Sequence, residues 1–158
     1  MEIRDKNGNL LLAQDEKDFS DADLRNVDLA GYELEGAYFA DADLRGTDLT
    51  GADLYWANMF RATCEGAVFR NAQFGGANLE CANFRHADLR GAYLSIDNLS
   101  GGVRLKAADL QGANLCGANL YGADLTGANM NDASYDDSTI FPIGFDPEAR
   151  GMIRIVEP

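Results

Sequence analysis

Residues 112–130 read GANLCGANLYGADLTGANM, near-copies of one five-residue phrase in which a small residue and an amide or acid precede a large apolar residue. With that apolar residue as the centre, the interval of five extends in both directions. Towards the C-terminus it passes Met130, Tyr135 and Ile140; backwards it runs through Leu110 and Leu105, slips by one residue near 100–104, and resumes at Leu99, Leu94, Leu89 and Phe84 as far as Phe19. Ala usually stands two places before the centre, as at Ala52, Ala57 and Ala62. Residues two apart share one side of an extended chain, so centre and Ala face inward together, while a period of five fits neither a helix nor an uninterrupted strand. The chain must turn after every phrase. Gly, Asn or Asp two places after many centres, as at Gly31, Gly46 and Gly91, accepts the dihedrals of such a turn. A helix bundle is disfavoured, because interior Gly costs about 1 kcal/mol per position.

The A-(D/N)-L-x-x pattern, carried from about residue 17 to 142, resembles that of the pentapeptide repeat proteins. The resemblance implies an all-β fold: a right-handed quadrilateral parallel β-helix with four phrases to a square turn and the centre and the small residue inside. About six coils are expected, which at roughly 4.8 Å per paired strand makes a short prism near 30 Å long. Residues 1–16 then form an N-terminal cap, in which Ile3 and Leu10 to Leu12 flank the hairpin signal Asn7-Gly8. Residues 143–158 form the other cap, with a single helical turn from Asp146 and Pro147 to Gly151 and a brief strand over Met152 to Val156.

Composition narrows the function. A chain of 158 residues with 46% hydrophobic and 25% charged residues suits one globular domain. The longest apolar run is short, and MEIRDKNGNLLLAQDEKD mixes charge into any leader core, so neither a membrane span nor a secretory leader is expected and the cytoplasm is the default location. Cys64, Cys81 and Cys116 form no CxxC pair and fit reduced thiols. A formal charge of -13 disfavours direct contact with nucleic acid or anionic lipid.

At about twenty residues per coil, positions twenty apart should stack. Asp28, Asp48, Asp88 and Asp109 then form an acidic ladder interrupted by Val68, and Arg25, Arg45, Arg85 and Lys106 form a basic one interrupted by Glu65. Mutual neutralisation, Arg25 with Asp28, Arg45 with Asp48 and Arg85 with Asp88, is one reading; a charged docking face is the other. Asn58, Asn78, Asn98 and Asn119 read as an amide ladder of the scaffold. Tyr55, Trp56 and Phe60 fall close together at outward positions, with Tyr38 and Tyr93 also outward, and such rings either anchor an interface or pack at corners.

Catalytic, metal and cofactor sites find no residues. His86 is the sole histidine, Cys64 takes a core position, and the carboxylates are spread outward by the repeat. The sequence therefore reads as a non-enzymatic, rigid binding or scaffold module for a protein partner, monomeric or weakly dimeric. The alternative comes from the resemblance: some pentapeptide repeat proteins mimic duplex DNA and inhibit or protect DNA gyrase or topoisomerase IV. Their usual end-to-end dimer helix has no counterpart in this tail, and Arg25, Arg45, Arg70, Arg85 and Arg90 interrupt a continuous negative surface.

Overall fold

Each phrase begins with a pair of backbone hydrogen bonds to the coils on either side. In a computed structural model that describes residues 2–4, 10–13, 17–96 and 101–156, the N–H of Leu54 donates to the C=O of Gln73 (2.8 Å) and that of Asn58 to Ala37 (2.8 Å). The residue before each centre thereby pairs in parallel with its counterpart one coil on, as Asp18 does with Tyr38 and Tyr38 with Asn58. The corner follows at once: the N–H three places after the centre returns to the centre's own C=O, as from Ala57 to Leu54 (3.0 Å). The third residue of that turn has positive φ, 68° at Gly36 and 55° at Trp56.

These bonds explain the D/N of the phrase. An Oδ1 just before the centre accepts the N–H just after it: Asp53 from Tyr55 (3.0 Å), Asn83 from Arg85 (3.0 Å), Asn119 from Tyr121 (3.0 Å) and Asp28 from Ala30 (3.0 Å). A short acceptor that reaches its own backbone two residues on closes the turn without help from another coil. Inside, Leu34, Ala37, Leu54, Ala57, Met59 and Cys64 are fully buried. Phe69 sets its ring 5.4 Å from Phe74 and 5.5 Å from Phe84. Burying each large side chain stabilises by about 1.5–3 kcal/mol. Thr47 replaces an interior Ala, and its hydroxyl donates to the Leu24 C=O (2.7 Å).

The interruption is longer than the phrase count implies. Pairing steps of 20 residues become 26 from Asn78 to Arg104 through Tyr93 to Asn119, so six residues are added and not one. The phrase centred on Leu99 copies the repeat in sequence, and residues 97–100 lie outside the described part. Val103, fully buried, takes the small inward position before Leu105. A second irregularity comes near the end: Asn119 pairs with Ile140, 21 residues on. Ile140 therefore stands outward, 48% exposed, and Phe141 packs against the core in its place. Asp136 and Thr139 hold this looser corner, where the Asp136 carboxylate accepts the N–H of Gly117 (3.0 Å) and the Thr139 hydroxyl donates to the Leu115 C=O (3.1 Å).

At the N-terminal end strands β1 (Glu2–Arg4) and β2 (Leu10–Ala13) pair antiparallel; the Asn7-Gly8 turn lies outside the described residues. At the other end β3 (Ser134–Tyr135) pairs in parallel with β4 (Ile153–Arg154). Between them Asp146 accepts the Ala149 N–H (3.1 Å) over a single 3-10 turn, Glu148–Arg150, which Gly151 ends at φ 72°. Among the described residues no helix is long and apolar enough to cross a membrane.

Candidate protein-docking edge

The pairing assigns every outward residue before a centre to one of four faces. The first face carries Asp18, Tyr38, Asn58, Asn78, Arg104 and Asp124, and the second Asp23, Asp43, Thr63, Asn83, Asp109 and Asn129. The third carries Asp28, Asp48, Val68, Asp88, Asn114 and Ser134, and the fourth Glu33, Asp53, Gln73, Tyr93, Asn119 and Ile140. The expected acidic ladder is thus corrected: Asp28, Asp48 and Asp88 share the third face, but Asp109 belongs to the second, and Asn114 stands where the ladder placed it. The six-residue insertion moves it. The same shift takes Asn119 away from Asn58 and Asn78, whose amides do make one rung (3.0 Å), and takes Lys106 away from the arginine corner, as Cys81 N–H bonds to Lys106 O.

The ion pairs also differ from the expected ones. Arg25 joins Asp23 (2.6 Å), Arg45 joins Asp43 (2.6 Å), and Asp88 is held by both Arg70 (2.6 Å) and Arg90 (2.7 Å); Arg85 reaches Asp109 (3.3 Å). An Asp before a centre and an Arg after it point outward on the same side, whereas Asp28, three residues past Arg25, lies beyond the corner. Hydrogen bonds from Arg25, side chain first and then backbone, hold the Asp23 carboxyl at about 2. At Asp88 burial pushes the carboxyl up, but bonds from Arg90 and Arg70 outweigh it and bring it to about 2. Internal charge pairs lace the second face and, on the third, hold Asp88.

The fourth face and its edge with the first are built differently. No ion pair among the described residues involves Glu33, Glu35 or Asp53. Lys17 reaches the main-chain O of Glu35 (3.1 Å). Aromatic rings gather here. Tyr55 stands at the corner above Gly75, where a Cβ would lie 2.1 Å from its ring, and reaches Tyr93 with centroids 6.3 Å apart. Gly75 has no need of positive φ; it is small because the Tyr55 ring lies over it. Trp56 meets Tyr55 edge-on at 6.3 Å and is 41% exposed on a left-handed backbone, φ 55°. The same corner position is Gly36, Gly76 and Gly122 in other coils. Tyr38 (55% exposed) and Tyr121 (43% exposed) stand near the ends of the edge, with exposed Ile96 between. Phe60, expected in the cluster, is half-buried at the following corner.

The insertion hides Tyr121 in the sequence. A step of 26 residues puts Tyr121 in the column of Tyr55, Gly75 and Ser95, and the Ser95 hydroxyl donates to the Tyr121 C=O (3.0 Å). The doubled glycine Gly75-Gly76 is the available signal, since the turn requires only the second.

The model of the family described as Pentapeptide repeats matches residues 18–54, 57–95 and 101–134, in eight copies. The chain is a pentapeptide repeat protein. The square, parallel, right-handed coil implied by the sequence resemblance is the fold of this repeat protein. Similar solved structures include Alr5209, a pentapeptide repeat protein from Nostoc PCC 7120, at 30% identity over 89% of this chain and 86% of that one, TM-score 0.36. HetL, involved in heterocyst differentiation regulation in the cyanobacterium Nostoc sp. strain PCC 7120, matches at 22% identity over 87% of each chain, TM-score 0.39. A trypsin-treated form of QnrB1, a plasmid-mediated fluoroquinolone resistance protein, matches at 21% identity over 87% of this chain and 77% of that one, TM-score 0.43. No curated protein matches the sequence.

Other groups in this pentapeptide repeat protein have structural surroundings. Burial pushes the Cys64 thiol far up, with Asp43 adding to it, so its nucleophilic thiolate is suppressed. The His86 ring lies over Gly112, where a Cβ would come within 2.5 Å. No group of three His, Cys, Asp or Glu suited to a metal ion occurs among the described residues.

Proposed function

We propose that the protein is a non-enzymatic cytoplasmic binding module whose rigid coil presents the fourth-to-first edge to another protein. The observation that carries this reading is the exposed Trp56 beside Tyr55, at a corner where three other coils place glycine. Other non-glycine residues, Arg61, Cys81 and His86 among them, take the same turn conformation; Trp56 is set apart by its large exposed ring, set edge-on against Tyr55. Exposed Trp and Tyr anchor protein interfaces because they bring large area with little side-chain freedom to lose.

The duplex-mimic alternative, with gyrase or topoisomerase IV as target, draws on the net charge of -13. The column it relies on gives it less support. Val68 interrupts it, two arginines hold Asp88, and Asn114 follows. Affinity capture from the protein's own host, with wild type beside Trp56→Gly, tests the module reading. Glycine suits this corner, so the variant keeps the fold. A partner retained by wild type and lost by the variant supports the edge, and no retained partner removes the module reading. Salt-sensitive inhibition of gyrase supercoiling that survives Trp56→Gly would favour the duplex mimic instead.

A further inference from the structure

We infer that the fourth-to-first edge binds an extended segment of a partner protein rich in lysine or arginine. This rests on the module reading above and names the chemistry of what the module takes. Charge complementarity points there first. On the second face Asp23, Asp43 and Asp109 are met by Arg25, Arg45 and Arg85, and on the third Asp88 is met by Arg70 and Arg90, while Asp28 and Asp48 only close their own turns. On the fourth face the column of residues before the centres contains Glu33 and Asp53 and no basic residue, and Glu35 is exposed at the adjoining corner. Among the described residues these three carboxylates make no ion pair, and unlike the equally unpaired Asp28 and Asp48 of the third face they adjoin exposed rings.

The rings point the same way. Tyr38 and Trp56 are exposed at the same end of the edge as those carboxylates, and Tyr121 is exposed further along it. An aromatic face attracts a guanidinium or ammonium, and a carboxylate alongside adds a charge-assisted hydrogen bond. An acidic segment would be repelled by the carboxylates, and a purely apolar one would bury them without a partner. Length fits as well. Tyr38 and Tyr121 are about four coil steps apart, about 19 Å at the spacing of paired strands, the reach of about six extended residues. The bound segment lies along the prism, across the coils, so that successive basic side chains meet successive rings or carboxylates.

Trp56 is the sole tryptophan, and its emission reports on the edge directly. The probe is a synthetic peptide alternating arginine with serine, titrated into the full chain, with a glutamate–serine peptide and an uncharged apolar peptide of the same length beside it. The basic peptide gives a saturable change that weakens with salt, and the other two give none. The combined variant Glu33→Gln, Glu35→Gln, Asp53→Asn, in which the amide at position 53 keeps the oxygen that closes the turn, raises the Kd at least tenfold. Removing the same charge elsewhere by Asp28→Asn, Asp48→Asn and Asp132→Asn changes it less than twofold, and circular dichroism verifies both folds. Equal weakening by the two triple variants, equal response to the apolar or acidic peptide, or no saturable response up to millimolar peptide each overturns the proposal. A partner captured equally by wild type and Trp56→Gly would overturn this edge while leaving the module reading standing.

Discussion

A single interior side chain touches neighbours in its own coil and in the next, so its loss is felt along the axis. Phe69 meets both Phe74 and Phe84, and Phe69→Ala is expected to cost about 3–5 kcal/mol, read as a lower urea midpoint. The opposite change is available on the surface. Cys81 is exposed with φ 59°, and Cys81→Gly relieves that conformation at the price of glycine's greater freedom in the unfolded chain. The net expectation is a gain of about 0.5–1 kcal/mol, seen as a higher Tm. The inward residues were legible from their period, because a step of two within each phrase leaves one choice of side. The role of Asp and Asn was not. Their side chains close a turn through a bond two residues long, and the sequence shows the residue type without the direction of the bond.

Pairing between coils sets the behaviour of each face. The Asp88 carboxyl sits at about 2 in the fold against about 3.9 in an unfolded chain. A depressed carboxyl favours the fold above the unfolded value, and that contribution disappears as pH falls from about 4 towards 2. Urea midpoints at pH 5 and pH 2.5 should therefore fall less for Asp88→Asn than for wild type; equal falls would deny the paired role of Arg70 and Arg90. At the next corner Gly75→Ala would drive a methyl into the Tyr55 ring. The expected result is displacement of Tyr55 from Tyr93 and a changed Trp56 emission, with the coil intact. The elements on either side of the insertion were each legible; their relative register was not, since Leu99 stands in a convincing copy of the phrase. That false phrase misplaced Asp109, Asn119 and Lys106 and concealed Tyr121.

As a whole the molecule is a prism with unlike sides, in which the second face and the Asp88 stretch of the third pair their carboxylates with arginine and one edge combines exposed rings with carboxylates that, among the described residues, make no ion pair. The net charge was plain from composition, but its distribution depended on which carboxylates the arginines reach, and that follows from the corner geometry. Solenoids lose structure neighbour by neighbour, so hydrogen exchange is expected to be slowest at central amides such as Leu54 and Cys64 and faster towards Leu24. Uniform exchange across the coils would indicate one all-or-none unit.

The most direct test of the docking edge is photo-crosslinking in extract of the protein's host, with a photoreactive phenylalanine analogue placed in turn at Tyr38, Tyr121 and, on the second face, Asn83. The predicted result is one shared partner adduct from Tyr38 and Tyr121 and none from Asn83. An adduct confined to Asn83, or no adduct from either edge position, would contradict the docking edge.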